Sequence, residues 1–132
     1  MPMPSKEQWV QSWIEATEKA KPKMNAKKIG RFAGTLSRPT LVFDYGDWGQ
    51  VYIELSRAGT ITLTDKPFAE PPALRIVSKP EIIHNVAIKK ASMMDMFLKG
   101  KVKVEGLPGT KLMPLMPLLD PVYKCYREEW GD

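Results

Sequence analysis

Residues 97–106 read Phe-Leu-Lys-Gly-Lys-Val-Lys-Val-Glu-Gly. Gly100 stops a helical run, after which Val102 and Val104 point one way and Lys101, Lys103 and Glu105 the other. That alternation predicts a half-exposed strand at a sheet edge, where lysines discourage pairing with other chains. Working back from it, Ser92 to Leu98 predicts a short helix, and Pro80 opens another that reaches about Lys89 with Ile82, Ile83, Val86 and Ala87 on one side. Before these the period is two. Leu41, Phe43 and Tyr45 alternate with Val42 and Asp44, the turn residues YGDWG follow, and Val51, Ile53 and Leu55 alternate with Tyr52, Glu54 and Ser56. Arg57-Ala58-Gly59 makes a second turn before Ile61 and Leu63, so three strands form an antiparallel meander. Leu74, Ile76 and Val77 give a fourth strand beyond the proline-rich loop at Lys66 to Pro72.

The flanks are helical. Ser5-Lys6-Glu7-Gln8 fits a capping box that starts a helix carrying Trp9, Val10, Trp13, Ile14, Ala16 and Ala20 on one face, and Lys21-Pro22 ends it. A second, short helix spans about Asn25 to Phe32. On the carboxy-terminal side, Gly106-Leu107-Pro108-Gly109 is a turn and Lys111 to Leu119 is apolar but broken by Pro114 and Pro117. Asp120-Pro121 then reads as the N-cap and first residue of a polar terminal helix with Tyr123, Tyr126 and Trp130.

At 132 residues the chain reads as one domain over 1–132, and a domain of this size buries roughly 65–70% of its unfolded surface. It divides into a basic helical amino-terminal segment, 1–39, and a segment, 40–132, of sheet, short helices and carboxy-terminal helix. The net charge of +5 lies entirely in the first: Lys6, Lys19, Lys21, Lys23, Lys27, Lys28, Arg31 and Arg38 against Glu7, Glu15 and Glu18. The remainder sums to zero. Such a segment attracts phosphates of nucleic acid or of an anionic membrane, or serves as a solvated face. No apolar run approaches the ~20 residues of a membrane span, and MPMPSKEQW has no apolar stretch of a secretory signal. A single cysteine, Cys125, suits a reducing compartment, so a cytoplasmic protein is expected.

Catalytic chemistry fails on inventory. One histidine, His84, and one cysteine cannot assemble a Cys/His metal set, and there is no Gly-x-Ser-x-Gly elbow or glycine-rich phosphate cradle. No catalytic residue, metal ligand or cofactor is assigned, and His84 reads as a half-buried packing residue. What is generous is the flexible apolar inventory: Met93, Met94 and Met96 precede the edge strand and Met113 and Met116 follow it, five of the eight methionines. Methionine fills irregular space and tolerates repacking, in a core or against variable apolar ligands.

The segment from Phe97 to Gly106 resembles the signature of the sterol carrier protein type 2 family, in which an aromatic and a bulky apolar residue precede a Gly-Lys pair, a short strand follows and a second glycine closes it. The order of elements is similar over nearly the whole chain. The resemblance implies an α+β fold: a five-stranded, mostly antiparallel mixed sheet with helices over one face and an apolar tunnel between. It implies a non-enzymatic carrier of a sterol, fatty acyl chain, acyl-coenzyme A, phospholipid or isoprenoid quinone. Residue by residue, Phe97 and Leu98 form one wall, Ile83, Met93 and Met94 the roof, Phe43 and Ile53 the floor, and Leu112, Met113 and Met116 the far end. The chain departs from the family at Leu107-Pro108-Gly109-Thr110 and the prolines after it, where the family carries an acidic residue and an alanine-rich segment.

Three function classes follow. The first is the lipid carrier or lipid-presenting accessory protein, with Lys19, Lys21, Lys23, Lys27, Lys28 and Arg31 docking transiently on an anionic membrane surface. The second is an interaction module that grips a partner enzyme with the same groove. The third, nucleic-acid binding, is weakened because the basic segment lacks interleaved aromatics to stack bases.

Overall fold

The structure, a computed structural model, describes residues 3–106 and 112–131; the side chain of Leu112 lies outside them. Strands β1 (Thr40–Asp44), β2 (Gln50–Leu55), β3 (Ile61–Thr64), β4 (Leu74–Ser78) and β5 (Val102–Glu105) form one mixed sheet in the order β3-β2-β1-β4-β5. The meander β1-β2-β3 is antiparallel, β4 runs parallel to β1, and β5 is the antiparallel edge that the Lys/Val alternation predicts. Cross-strand register puts Leu41 beside Ile53 and Leu74, and Phe43 beside Val51 and Ile76. These residues share one face, and the helices cover it.

The helices are α1 (Trp9–Ala20), α2 (Ala26–Gly34), α3 (Pro80–Ala87), α4 (Met93–Leu98) and α5 (Leu112–Trp130). Residues 9–36 contribute Trp9, Trp13, Ile29, Phe32 and Leu36 to the same apolar core as the sheet, so the basic segment is packed and not appended. Asn25 caps α2 by accepting from the Lys28 N–H at 3.0 Å, and Ser92 caps α4 from Asp95 N–H. At the chain start the capping box is half formed. Ser5 N–H donates to Gln8 Oε1 at 3.1 Å, but the Ser5 hydroxyl also donates to Gln8 and receives no backbone donor among the described residues, and the helix begins at Trp9. Its buried face takes in Ser12 and Thr17, whose hydroxyls donate to the carbonyls of Trp9 and Trp13, while Val10 and Ile14 lie half-buried at its flank.

The carboxy-terminal reading is corrected most. There is no break at Pro114 or Pro117 and no new start at Asp120: α5 is one helix of 19 residues with Pro117 and Pro121 inside it. Nor is its second half polar, since Val122, Tyr123, Cys125 and Tyr126 are buried. Leu115, Leu118, Leu119, Val122, Tyr123 and Tyr126 recur at three- and four-residue spacing and face the sheet. The prolines at 114, 117 and 121 fall on the opposite face, where Pro114 and Pro117 are exposed. Each interior proline forfeits one ladder hydrogen bond, and burial of a continuous apolar stripe outweighs that loss. The turn expected at 107–109 lies outside the described residues.

Two other features fix the frame. On the face of the sheet away from the helices, Asp44 accepts hydrogen bonds from the Gly46 N–H and Gln50 Nε2 and pairs with Arg75. Burial acts to raise the Asp44 pKa, but the Gln50, Gly46 and Arg75 contacts together lower it. Gly59, in the β2–β3 turn, has φ +96°, and a Cβ there would lie 2.3 Å from the Ala26 carbonyl oxygen at the start of α2. Gly59→Ala is therefore expected to cost more than the roughly 1–2 kcal/mol of a left-handed alanine alone, measured by equilibrium urea unfolding.

Candidate functional site

The helix layer does not quite fill the space above β1, β2 and β3. A gap of about 20 Å³ remains, with Phe43, Tyr45, Val51, Ile53 and Leu63 on the sheet side, Trp13 and Thr17 from α1, and Leu119, Val122 and Tyr123 from α5. Around it the aromatic packing is dense. Trp13 stacks on Tyr126 with centroids 4.1 Å apart and planes 2° from parallel, and it meets Trp9 and Tyr123 edge-on at 5.7 and 5.6 Å. Two residues lining the gap carry buried polar atoms with no hydrogen-bond partner among the described residues, Trp13 Nε1 and the Tyr123 hydroxyl. Such orphans are uncommon, because each carries the desolvation penalty of an unmade hydrogen bond.

The tyrosines are not acid–base groups. Burial, then Tyr123 and Tyr126 beside it, pushes the Tyr45 phenol well above its ordinary range; burial and next the Asp120 carboxylate do the same to Tyr123. Both stay neutral at physiological pH. His84, expected to be half-buried, is buried, and its Nδ1 shares a 2.6 Å hydrogen bond with the Tyr126 hydroxyl. This contact ties α3 to α5. Arg127 adds a second tie by donating to the Ala87 carbonyl at 2.7 Å. Among the described residues, no group of three or more His, Cys, Asp and Glu side chains is placed to hold a metal.

Tyr123 also belongs to a surface groove of about 520 Å³ between α3 and α5, floored by Val86 and Met116 and rimmed by Lys23, Lys89, Lys124 and Arg127, with Asp120 as its one acid. A second groove, about 320 Å³, runs between α2 and α5 along Phe32, Pro114, Pro117 and Leu118, with Lys28 and Arg31 at its rim. The first two turns of α5 thus form an apolar ridge between two basic flanks.

The structure disperses the expected ligand wall. Phe43 and Ile53 lie together on the gap, and Met116 lies on the adjoining groove. Ile83 and Met93 are buried in the closed core, and Met94 and Phe97 are half-buried on α3's side of the sheet, where α4 packs on β5. Leu98 and Met113 are 76% and 61% exposed, and the Leu112 side chain lies outside the described residues. The six basic residues, Lys19, Lys21, Lys23, Lys27, Lys28 and Arg31, are all exposed; Lys19 pairs with Glu129 and Lys21 with Glu18. The sequence reading puts the amino-terminal tryptophans on a core face but names only Phe43 and Ile53 among the gap residues; it misses Trp13, Thr17, Tyr45, Val51 and Leu63, and Leu119, Val122 and Tyr123 on α5. For the last three the signal is the 3.6-residue period that runs through the prolines.

No family model and no curated protein matches the sequence. Solved structures do. The ubiquinone synthesis protein UbiJ-SCP2 is 13% identical with a TM-score of 0.60, over 92% of this chain and 96% of that one. Sterol carrier protein 2 is 12% identical with a TM-score of 0.58, over 88% and 94%. The stereoselective inverting sec-alkylsulfatase Pisa1 from Pseudomonas sp. is 19% identical with a TM-score of 0.57 over 74% of this chain, which spans only 14% of that enzyme. At these identities the shared property is the fold, with its five-stranded mixed sheet, helical layer and order of elements. The chain has the sterol carrier protein type 2 fold.

Proposed function

We propose that this protein binds an apolar small molecule, a lipid with acyl, sterol or isoprenoid character, between the sheet and the helix layer, and carries or presents it without chemical change. The observation that carries the reading is the apolar gap over Phe43 and Ile53, at the layer junction where α1 and α5 meet the sheet. Apolar walls remove a ligand from water at roughly 25 cal/mol per Å² and give little orientation, which makes such a site promiscuous.

At about 20 Å³ the gap has room for roughly one water molecule and is far below the ~300 Å³ of small ligand sites. Binding therefore requires the helix layer to move. The amino-terminal half of α5 is the element that yields: the polar ties from α5 to other elements, through Tyr126, Arg127 and Glu129, all lie in its carboxy-terminal half among the described residues. Outward movement of that half at Leu119 joins the gap to the groove at Met116, with Tyr123, which lines both, between them. Further widening beneath α3 and α4 reaches Ile83 and Met93, with Met94, Phe97 and Leu98 at that outer end and Leu112 and Met113 at the other. The buried lone cysteine suits a reducing compartment such as the cytoplasm.

The same geometry favours docking on an anionic membrane through the ridge at Met113, Pro114, Met116 and Pro117, flanked by Lys23, Lys28 and Arg31. A basic residue near such a surface contributes about 1 kcal/mol, and the attraction fades within a Debye length of roughly 8 Å. Lys23→Glu/Lys28→Glu/Arg31→Glu is expected to leave probe affinity in solution unchanged and to slow probe transfer to anionic vesicles at low salt, with little effect on neutral vesicles. Equal transfer rates for variant and parent would remove the membrane role. The lipid reading itself is tested by mass spectrometry of an organic extract of the purified protein, together with uptake of a fluorescent fatty-acid or sterol probe. A bound lipid or saturable uptake is expected. Neither, in a folded sample, would leave the apolar ridge as a grip for a partner enzyme.

A further inference from the structure

β1 and β4 are adjacent and parallel, and the chain leaves them in opposite directions: from β1 into the hairpin with β2, from β4 into α3. Crevices at such points, outside the carboxyl ends of parallel strands, are where open α/β sheets bind ligands. Here the crevice has a volume of about 580 Å³. Lys6, Lys79, Lys101 and Lys103 line it, against Asp47 and Glu81, a net charge of +2. All four lysines are exposed, and none has a carboxylate within 4.0 Å among the described residues. The amino terminus of α3 opens on the same crevice, with Pro80 at its first turn and no side-chain cap. Ser78, the last residue of β4, also lines it; Ser78 is 9% exposed and its hydroxyl has no hydrogen-bond partner among the described residues.

We propose that this crevice is a binding site for a phosphate group, carried by a soluble phosphorylated small molecule or by a lipid headgroup. A phosphate offers several acceptor oxygens and up to two negative charges. Lysine ammoniums supply point charges with three donors each, the uncapped helix terminus supplies partial positive charge, and the Ser78 hydroxyl supplies the buried donor that now lacks a partner. The crevice lies at the end of the sheet and shares Tyr45 with the gap, but none of its charged residues or Ser78 lines the gap, and its assignment does not depend on the lipid reading.

The test is a titration of the isotope-labelled protein at constant ionic strength, read from backbone amide shifts, with inorganic diphosphate in one arm and vesicles with or without phosphatidic acid in the other. Saturable shifts confined to Gly46–Trp48, Ser78–Glu81 and Gly100–Lys103 are expected. Saturation by diphosphate assigns a soluble ligand; saturation only by phosphatidic acid vesicles assigns a headgroup. Lys101→Gln/Lys103→Gln changes two exposed side chains and is expected to weaken binding by roughly tenfold or more. Ser78→Ala is expected to weaken it similarly while leaving the melting temperature unchanged or higher, because the hydroxyl it removes has no partner. No response to either anion source, shifts spread along Lys19–Arg31 instead, or equal binding by parent and the double-lysine variant would overturn the proposal.

Discussion

Trp13→Ala is expected to lower the stability of the fold by about 3–5 kcal/mol, the range for removing a buried tryptophan. Trp13 is 4% exposed, stacks on Tyr126, and stands edge-on to Trp9 and Tyr123, so its loss strips three aromatic neighbours of contacts at once. Its indole N–H has no partner among the described residues, so its removal relieves a desolvation penalty and offsets a small part of that loss. For a domain of this size the melting temperature should fall by roughly 10–20 °C, and urea unfolding should show a lower midpoint at an unchanged slope. The same substitution enlarges the gap that Trp13 lines. A small apolar probe should then bind more tightly than to the parent and restore part of the lost stability by mass action. A loss below about 1 kcal/mol, or a destabilised variant with unchanged probe affinity, would separate Trp13 from the gap.

Leu63→Trp works in the opposite sense. Leu63 lines the gap from β3, an edge strand, and is only half-buried, so the strand can give way to a larger side chain that fills the gap at a cost of ~1–3 kcal/mol. The indole occupies the volume a ligand needs first. Probe affinity is expected to fall at least tenfold, about 1.4 kcal/mol, and the amount of probe carried to vesicles at a fixed probe concentration falls with it. Unchanged affinity in a folded Leu63→Trp protein would place the ligand elsewhere.

The sheet was legible because its signals are local and concordant. Alternation at Leu41–Tyr45 and Val51–Leu55, turn residues between them, and the Lys/Val edge at 101–105 each fit one assignment; burial alternates along Val51–Leu55 and the edge strand, whereas both faces of Leu41–Tyr45 are buried. Parallel pairing of β4 with β1 was not readable from those stretches, since Leu74, Ile76 and Val77 carry no register information of their own. The carboxy-terminal helix was misread because proline is normally a reliable terminator. At 114, 117 and 121 all three prolines share one outer face, and the apolar period continues beneath them. That misreading also hid half of the candidate site, since Leu119, Val122 and Tyr123 reach the gap only if 112–130 is one helix. The methionines drew attention to α4 and the start of α5, yet Met113 and Leu98 lie largely in solvent. Composition registers how deformable a surface is and carries no statement of which way it faces.

The most direct test of the central claim is the position of a bound chain inside the protein. With methyl-labelled protein saturated by a fatty acid bearing a nitroxide near its tail end, paramagnetic broadening should be strongest at the methyls of Val51, Ile53, Leu119 and Val122, around the gap between sheet and helices. Broadening confined to Leu98 and Met113, with those four methyls unaffected, would mean that lipid adheres to the outside of a solid core, and would contradict the account.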